Sequence, residues 1–272
     1  MTGPLRFASC TNVESFGITS VTMSLTQRQI ENCLYAQVGA FIPEPDSICV
    51  DREGWHQIIT PSIPSVVMNE VYVSMIPDAA VERVVAETIA EYRRQGLPFK
   101  WIVGPMSSPA RLRDVLAPLA AQQWWFKGMV APASLAIECD PSITVEVMTA
   151  ANSRDYFDAT SEGWCFDEKE RAQLSRKIEF VLAHADTYRY FIARLEGCAV
   201  GTAGLVLRPD YGYLIGANTV ASARGRGVYK SLIEARHALL RSVGREYSFT
   251  QARCATSAPI LERMGFETAY DA

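Results

Sequence analysis

The chain has 272 residues, of which 49% are apolar and 21% are charged, a composition typical of a globular protein rather than of a disordered chain. A net charge of −4 gives no overall attraction to nucleic acid. Seven cysteines without a C-x-x-C spacing, and three scattered histidines, predict reduced thiols in a cytoplasmic protein with no metal site. We expect neither a secretory signal nor a membrane span, because no apolar run approaches ~20 residues.

The first half of the chain predicts short strands alternating with amphipathic helices. The predicted strands, all short apolar runs, are residues 18–23, 56–59, 66–73, 99–103, 124–126 and 135–137. Three helices are predicted. The first covers residues 25–40, the second begins after its cap at Asp78 and ends at Gly96, and the third covers residues 108–121. Asp140 and Pro141 form a plausible junction between two domains, 1–140 and 141–272.

The second half predicts the same kinds of element in a similar order. Apolar runs at 188–194 and 199–207 flank a turn that contains Gly197, which is typical of a hairpin. Residues 211–220 read as a strand, and the helix that follows the next loop ends at Gly244. The remaining predicted elements are a helix at 168–183, a strand at 248–254, a helix at 257–264 and a last strand at 267–272.

The loop before the long helix of the second half is the strongest candidate for a binding site. It reads Arg224-Gly225-Arg226-Gly227, and its glycines allow positive φ and close approach of a ligand. The free amides at the start of the following helix, with its dipole, favour an anion such as a pyrophosphate. A solvated basic turn is the alternative. A dinucleotide site is disfavoured, because the G-x-G-x-x-G spacing is missing.

The sequence TVASARGRGVY at 219–229 resembles the acetyl-CoA signature of the GCN5-related N-acetyltransferases (GNATs). That signature is Arg or Gln, two residues, Gly, one residue, then Gly or Ala. Arg224 and Gly227 match it, whereas Tyr229 stands where a small residue is usual. The strand, the short helix and the Gly265-Phe266 pair that follow also resemble the family, so the resemblance covers about residues 141–272.

A weak internal repeat extends this resemblance to the whole chain. The expected fold class is α/β, with two tandem GNAT-like units, each a mixed and mostly antiparallel sheet flanked by helices. The N-terminal unit is expected to be degenerate, because Pro77, Asp78 and Glu82 replace the glycines and basic residues of the loop. We expect it to pack, to close the acceptor pocket or to form a homodimer. The resemblance implies two strands after Gly265-Phe266, but residues 267–272 suffice for one. Either the sheet is shorter, or another segment supplies the strand, for which residues 6–13 are a candidate.

The resemblance implies a direct attack of an amine on the thioester of acetyl-CoA or another acyl-CoA. A backbone amide at Thr219 or Val220 would hold the thioester carbonyl, and the loop would hold the phosphates. The residues that the resemblance assigns to the acyl-CoA are Thr219, Val220, Arg224, Gly225, Arg226, Gly227, Val228 and Tyr229.

The catalytic groups are less marked in the sequence. Tyr213 and Asn218 are the polar candidates for a base, and Ser257 is a candidate acid because Leu261 stands where the family often has tyrosine. A purely structural role is the alternative for each of these three. Glu70, on the corresponding strand of the first unit, is a further candidate base.

Trp164, Phe166 and Asp167 are expected to wall the acceptor pocket, or to form a core-packing turn in which Asp167 caps a helix. The leading hypothesis is an N-acyltransferase that acts on a small-molecule amine. One alternative is the same fold with aminoacyl-tRNA as donor, which Arg236, Arg241, Arg245 and Arg253 could contact. The other alternative is a coenzyme A-binding module without catalysis.

Overall fold

The computed structural model describes residues 25–272, so the predicted strand 18–23 and the candidate segment 6–13 lie outside the described residues. In this part of the chain the helices are α1 (Gln27–Tyr35), α2 (Val81–Arg94), α3 (Leu112–Leu116), α4 (Ser153–Trp164), α5 (Glu168–Ala183), α6 (Val228–Ser242) and α7 (Ser257–Met264). Thr26 caps α1 through a reciprocal capping box with Gln29, as a threonine before a helix predicts.

The strands form two sheets. The first sheet contains β1 (Ile48–Arg52), β2 (Trp55–Ile59), β3 (Glu70–Met75), β4 (Lys100–Trp101) and β5 (Ser107–Ser108). The second contains β6 (Phe126–Pro132), β7 (Ile143–Val147), β8 (Tyr188–Leu195), β9 (Cys198–Leu207), β10 (Tyr211–Thr219), β11 (Tyr247–Arg253) and β12 (Glu267–Asp271). The first has the order β1-β2-β3-β4, with β5 also beside β3, and the second has the order β12-β6-β11-β10-β9-β8-β7.

Both halves repeat one order of elements. In each, three antiparallel strands lead into a helix and then into a strand parallel to the third. These elements are β1-β2-β3-α2-β4 in the first half and β8-β9-β10-α6-β11 in the second. The predicted fold class of two tandem units, each with a mixed sheet and flanking helices, is confirmed.

The last strand missing from the second unit comes from the first half of the chain. β6 lies between β11 and β12 and is antiparallel to both, although it precedes the predicted junction at Asp140. The strand predicted at 124–126 overlaps β6 only at Phe126, and residues 135–137 form no strand. Position 128 of β6 requires glycine, because a Cβ there would stand 2.0 Å from the ring of Tyr270. That glycine and the terminal Pro132 lower the strand propensity that the sequence presents.

Other predictions in the first half were wrong in extent, and one strand was not predicted. The helix predicted at 108–121 covers only Leu112–Leu116, because Pro118 interrupts the pattern and Ser108 belongs to a short strand. The strand predicted at 99–103 covers only Lys100–Trp101. Strand β1 was not predicted, because it is a largely exposed edge strand without a buried apolar face.

Both faces of the second sheet are covered. One face packs against α6 and α7 through residues such as Leu232, Leu261 and Phe266. The opposite face packs against α4 and α5, and against the first unit, where Tyr72 and Phe249 share one buried cluster. Among the helices of residues 25–272, none is both long and apolar enough to cross a membrane.

Candidate functional site

A cleft opens between β10 and β11 in the middle of the second sheet. The two strands pair only where Tyr211–Tyr213 faces Tyr247–Phe249, and a single side-chain bond from Thr250 to the Leu214 carbonyl follows at 2.9 Å. Gly216 is exposed although β10 is the fourth of seven strands, and a Cβ built on it would meet no atom within 4 Å. Beyond this point β10 and β11 are not paired, and the gap between them is the cleft.

A bulge in β10 marks the same place. Ile215 pairs with Gly204 and Asn218 pairs with Thr202, so Gly216 and Ala217 together oppose the single residue Ala203. Gly216 has φ of 57°, a left-handed conformation that glycine adopts without strain. Bulges bend a strand and interrupt its pairing, and here the bend accompanies the separation of β10 from β11.

The structure distinguishes the two amides that the sequence offered as carbonyl donors. The Val220 amide donates to the Val200 carbonyl at 2.9 Å, so it is already used within the sheet. Successive amides of a strand point to opposite edges, which directs the Thr219 amide away from β9 and towards the cleft. Thr219 is therefore the better placed of the two to hold a carbonyl oxygen.

The glycine loop presents several free amides beside the end of this cleft. Gly225 and Gly227 have φ of 77° and 88°, and α6 begins at the next residue. The Arg226 amide donates weakly to the Ala223 carbonyl at 3.4 Å. Within residues 25–272, the amides of Gly225, Gly227, Val228 and Tyr229 have no protein acceptor. Their grouping at a helix start is the arrangement that binds phosphates.

The charged side chains around the loop are of both signs. Arg224 donates to the Thr219 carbonyl at 3.3 Å, and Arg226 lies 3.5 Å from the Glu196 carboxylate. Asp140 stands close by, because a Cβ built on Gly227 would lie 3.8 Å from its own Cβ. Hydrogen bonds from Ser142, and then the charge of Arg226, lower the pKa of Asp140. Sequence reasoning missed this acid, which lies far from the loop along the chain.

The corresponding place in the first unit is closed. There β5 pairs with β3 where β4 ends, and the Ser74 and Ile76 amides donate to the carbonyls of Met106 and Ser108. Arg111 binds both Asp78 and Glu82 at the start of the equivalent helix. The backbone of the first unit thus fills the edge that the second unit leaves open. This supports the prediction that the first unit does not hold coenzyme A.

The three candidate catalytic side chains are all held by the fold. Tyr213 is 5% exposed between the two sheets, and burial raises its pKa well above the usual value. Asn218 is 8% exposed and donates to the Thr202 hydroxyl at 2.8 Å. The Ser257 hydroxyl accepts the Arg253 amide at 2.9 Å, which closes the turn after β11. These positions favour the structural alternative for each residue.

Asn218 ties the bulge to helix α4. The Thr202 hydroxyl that it contacts lies 2.8 Å from the Thr160 hydroxyl on α4. A Cβ built on Gly163 would stand 2.2 Å from the Asn218 Oδ1 atom, so only glycine permits this approach. We infer that Asn218 and Thr202 position the bulge, and with it the Thr219 amide.

Replacing Thr202 with valine should therefore slow turnover without weakening coenzyme A binding. The change keeps the shape of the side chain but removes both hydroxyl contacts, and we expect kcat to fall about tenfold. Steady-state kinetics and calorimetry would measure the two effects separately. Thr88→Val, at a buried position in the first unit, is the matched control. Equal kcat for Thr202→Val and wild type would contradict a positioning role.

The expected acceptor wall lies where α4 reaches the bulge. Trp164 is 45% exposed at the end of α4, and Phe166 packs against the cluster beneath α4 and α5. Asp167 caps α5, because its carboxylate accepts the Glu170 amide while the Glu170 carboxylate accepts the Asp167 amide, both at 2.9 Å. Asp167 therefore has the cap role that was its alternative interpretation.

An aromatic residue of the first half also reaches this end of the cleft. The Trp125 carbonyl accepts the Cys254 amide at 3.0 Å, directly after β11, and its side chain is 46% exposed. The backbone of Trp125 thus lies next to the end of β11, while its ring lies 4.9 Å from the Arg113 guanidinium on α3. Two adjacent tryptophans just before a strand were the only available signal in the sequence, and the pairing of β6 was needed to place them.

Three of the four arginines proposed for tRNA contact bind within the protein, whereas Arg253 is exposed. Arg236 is 1% exposed and donates to the Leu232 and Gly204 carbonyls, and burial lowers its pKa to about 10. Arg241 binds Glu234 and the Ala133 carbonyl, and Arg245 binds the Arg208 carbonyl. These bonds leave little of the basic surface that an RNA donor would need.

Comparisons with known proteins agree with this geometry. Residues 150–266 match the family model described as "Acetyltransferase (GNAT) family". Comparison with curated proteins finds no match. Similar solved structures include a functionally unknown conserved protein from Staphylococcus epidermidis, with a TM-score of 0.63, 12% identity and coverage of 87% of this chain and 94% of that one.

Two other similar structures carry the family name. A GCN5-related N-acetyltransferase from Kribbella flavida has a TM-score of 0.62 and 13% identity, covering 90% of this chain and 92% of that one. A tandem GNAT protein from the clavulanic acid biosynthesis pathway has a TM-score of 0.56 and 13% identity, covering 89% of this chain and 87% of that one. At these identities the likeness establishes the fold alone.

Proposed function

We propose that the protein transfers an acyl group from acyl-CoA to the amine of a small molecule, because residues 150–266 match the model of the acetyltransferase (GNAT) family. The observation that carries the proposal is the unpaired edge of β10 beyond Leu214, next to the unpaired amides of the loop. The strand edge suits an extended pantetheine, and the loop suits a pyrophosphate. The first unit, whose own strand edge is closed, forms a wall of the acceptor pocket.

The main contribution of the protein to the reaction is to position the two reactants. The lone pair of a neutral amine attacks the thioester carbonyl, the carbon–sulfur bond breaks, and the thiolate leaves and takes a proton. The Thr219 amide would stabilise the negative charge that develops on the carbonyl oxygen. The proton of the amine passes to water or solvent-borne base, since the candidate side chains are held by other groups. Holding both reactants in one cleft supplies the main rate enhancement.

The aromatic rim indicates what kind of amine fits. Trp164 follows Gly163, which approaches Asn218, and is 45% exposed, and Trp125 lies next to the end of β11 and is 46% exposed. Such rings favour an acceptor with an apolar or planar group next to the amine, through burial and stacking. We therefore propose arylalkylamines as the first acceptor class to test.

Calorimetry with acetyl-CoA and coenzyme A tests the donor, and thiol release with a panel of amines tests the reaction. We expect binding of both nucleotides and faster thiol release with arylalkylamines than with alkylamines of equal length. Absence of binding to either nucleotide would refute the proposal. Binding without thiol release across the panel would favour the non-catalytic alternative.

Replacing Arg226 with glutamine should weaken acetyl-CoA binding by about tenfold, because it removes one full charge beside the loop amides. The loss should shrink as salt is raised, since the charge is exposed. Titration at two salt concentrations would measure both effects. Arg93→Gln, on the surface of α2 in the first unit, is the control and should leave binding unchanged. A salt-independent or absent effect at Arg226 would show that the phosphates lie elsewhere.

A further inference from the structure

Gln251 lies on the β11 side of the cleft. The last residue of β11 that pairs with β10 is Phe249, so Gln251 is the second residue after the two strands part. Side chains alternate along a strand, so Gln251 lies on the same face as Phe249, which belongs to the buried cluster shared with the first unit. Helices α6 and α7 cover the opposite face. An acceptor that enters from the side of the first unit therefore meets Gln251.

Two tyrosines hold the side-chain amide of Gln251. Its Nε2 atom donates to the Tyr72 hydroxyl at 2.9 Å and to the Tyr270 hydroxyl at 3.2 Å. Tyr72 lies on β3 of the first unit, and Tyr270 lies on β12. The Tyr270 ring reaches Gln251 across β6, over the position where Gly128 has no side chain. Burial raises the pKa of Tyr270 to about 12 and also raises that of Tyr72, so both hydroxyls are neutral.

The tyrosines also fix which way the amide of Gln251 faces. The Tyr72 hydroxyl donates its one proton to the Leu34 carbonyl at 2.7 Å, so towards Gln251 it can only accept. Because only the nitrogen of the amide carries protons, the nitrogen faces the tyrosines. Among residues 25–272 no group donates to the Oε1 atom of Gln251. Gln251 is half-buried and this oxygen is not enclosed, so it is an oriented acceptor that a ligand can reach.

On the premise of the proposed function, we propose that Gln251 is a specificity-determining residue whose Oε1 accepts an N–H of the acceptor amine, and that Tyr72 and Tyr270 position it. A primary amine has two N–H groups. One can stay on Gln251 throughout the reaction, while the other gives up its proton after the attack on the thioester. A secondary amine has one N–H group, so its bond to Gln251 is lost when the amide forms. The site therefore selects primary over secondary amines.

Two amines that differ only in this group give the test. For the wild type, kcat/KM of acetyl transfer should be at least about tenfold higher with phenethylamine than with N-methylphenethylamine. Gln251→Met keeps the approximate size of the side chain but replaces the amide oxygen with a weak acceptor. In this variant the ratio should fall by at least about fivefold, mainly through slower transfer to phenethylamine. Calorimetry should show unchanged coenzyme A binding, which also reports that the variant is folded.

The phenylalanine variants of the two tyrosines test the positioning role. Tyr72→Phe and Tyr270→Phe each remove one anchor of the amide, so each should lower the ratio in part, and the double variant should approach Gln251→Met. Adding both to Gln251→Met should lower the ratio no further, since the tyrosines act through Gln251. Tyr92→Phe is the control, because it removes a buried hydroxyl that donates to the Ile58 carbonyl at 2.7 Å. It should lower thermal stability and leave the ratio unchanged.

The results separate the inference from the proposed function. An unchanged ratio in Gln251→Met, or equal transfer to both amines by the wild type, would overturn the inference while the proposed function stands. A further fall of the ratio when the phenylalanine changes are added to Gln251→Met would remove the tyrosines from the positioning role. Failure of the wild type to bind coenzyme A, or to acetylate any amine, would instead refute the proposed function and the inference with it.

Discussion

Replacing Thr219 with proline is expected to lower kcat by about 100-fold or more while the protein stays folded. Proline removes one backbone donor and fixes φ near the value of an extended strand. The Thr219 amide faces the cleft rather than β9, so the sheet loses no hydrogen bond. The reaction loses the group that would stabilise charge on the carbonyl oxygen. Single-turnover acetyl transfer and thermal unfolding would measure the two effects.

The neighbouring residue supplies a matched control. The Val220 amide donates to the Val200 carbonyl at 2.9 Å, so Val220→Pro removes a bond that the sheet does use. Val220 is also 3% exposed, and its packing against α6 would suffer. We expect Val220→Pro to unfold at a clearly lower temperature than Thr219→Pro. Comparing the two variants therefore distinguishes the loss of a hydrogen-bond donor in the cleft from damage to the strand.

The opposite pattern would remove Thr219 from the mechanism. If Thr219→Pro keeps its kcat, the carbonyl oxygen is held by another donor, and the role assigned to this strand edge is wrong. If Thr219→Pro loses as much thermal stability as Val220→Pro, its amide must serve the sheet. Coenzyme A affinity should change less than tenfold in Thr219→Pro, since the loop amides are untouched.

Local sequence signals predicted the part of the site that consists of backbone. Paired glycines before an amphipathic helix predict free amides and left-handed conformations, and Gly225 and Gly227 show both. The hairpin at Glu196 and Gly197 was predictable for the same reason, because both residues of its turn have positive φ. Such features depend on a few adjacent residues, so the sequence is sufficient to find them.

Side-chain roles could not be predicted, because they depend on partners distant in the sequence. Tyr213 looked polar and available, but the first unit covers it with residues such as Tyr72. Asn218 is held by Thr202 and by the close approach of Gly163. The extent of strand β6 was missed for a similar reason, since its partner β11 lies about 120 residues later in the chain.

Glu70 and Lys100 form a largely buried ion pair in the first unit, and breaking it should lower the free energy of unfolding. The Glu70 carboxylate lies 2.7 Å from the Lys100 amino group, and each of its oxygens accepts a hydrogen bond from the side-chain amide of Gln37. Its side chain is 4% exposed, so the candidate base of the sequence analysis is a buried structural acid. Lys100→Met would leave this charge without its cation, which we expect to cost about 3 kcal/mol of unfolding free energy.

A double variant tests whether the cost comes from the unpaired charge. Glu70→Gln/Lys100→Met removes both charges and keeps a polar partner for Gln37, so it should recover most of the stability lost in Lys100→Met. Urea unfolding of wild type, both single variants and the double variant closes the cycle. Arg83→Met, which breaks the exposed pair with Glu87, should have no measurable effect. A loss below about 1 kcal/mol in Lys100→Met would mean that water reaches Glu70 and that the contact between β3 and β4 is looser than the structure shows.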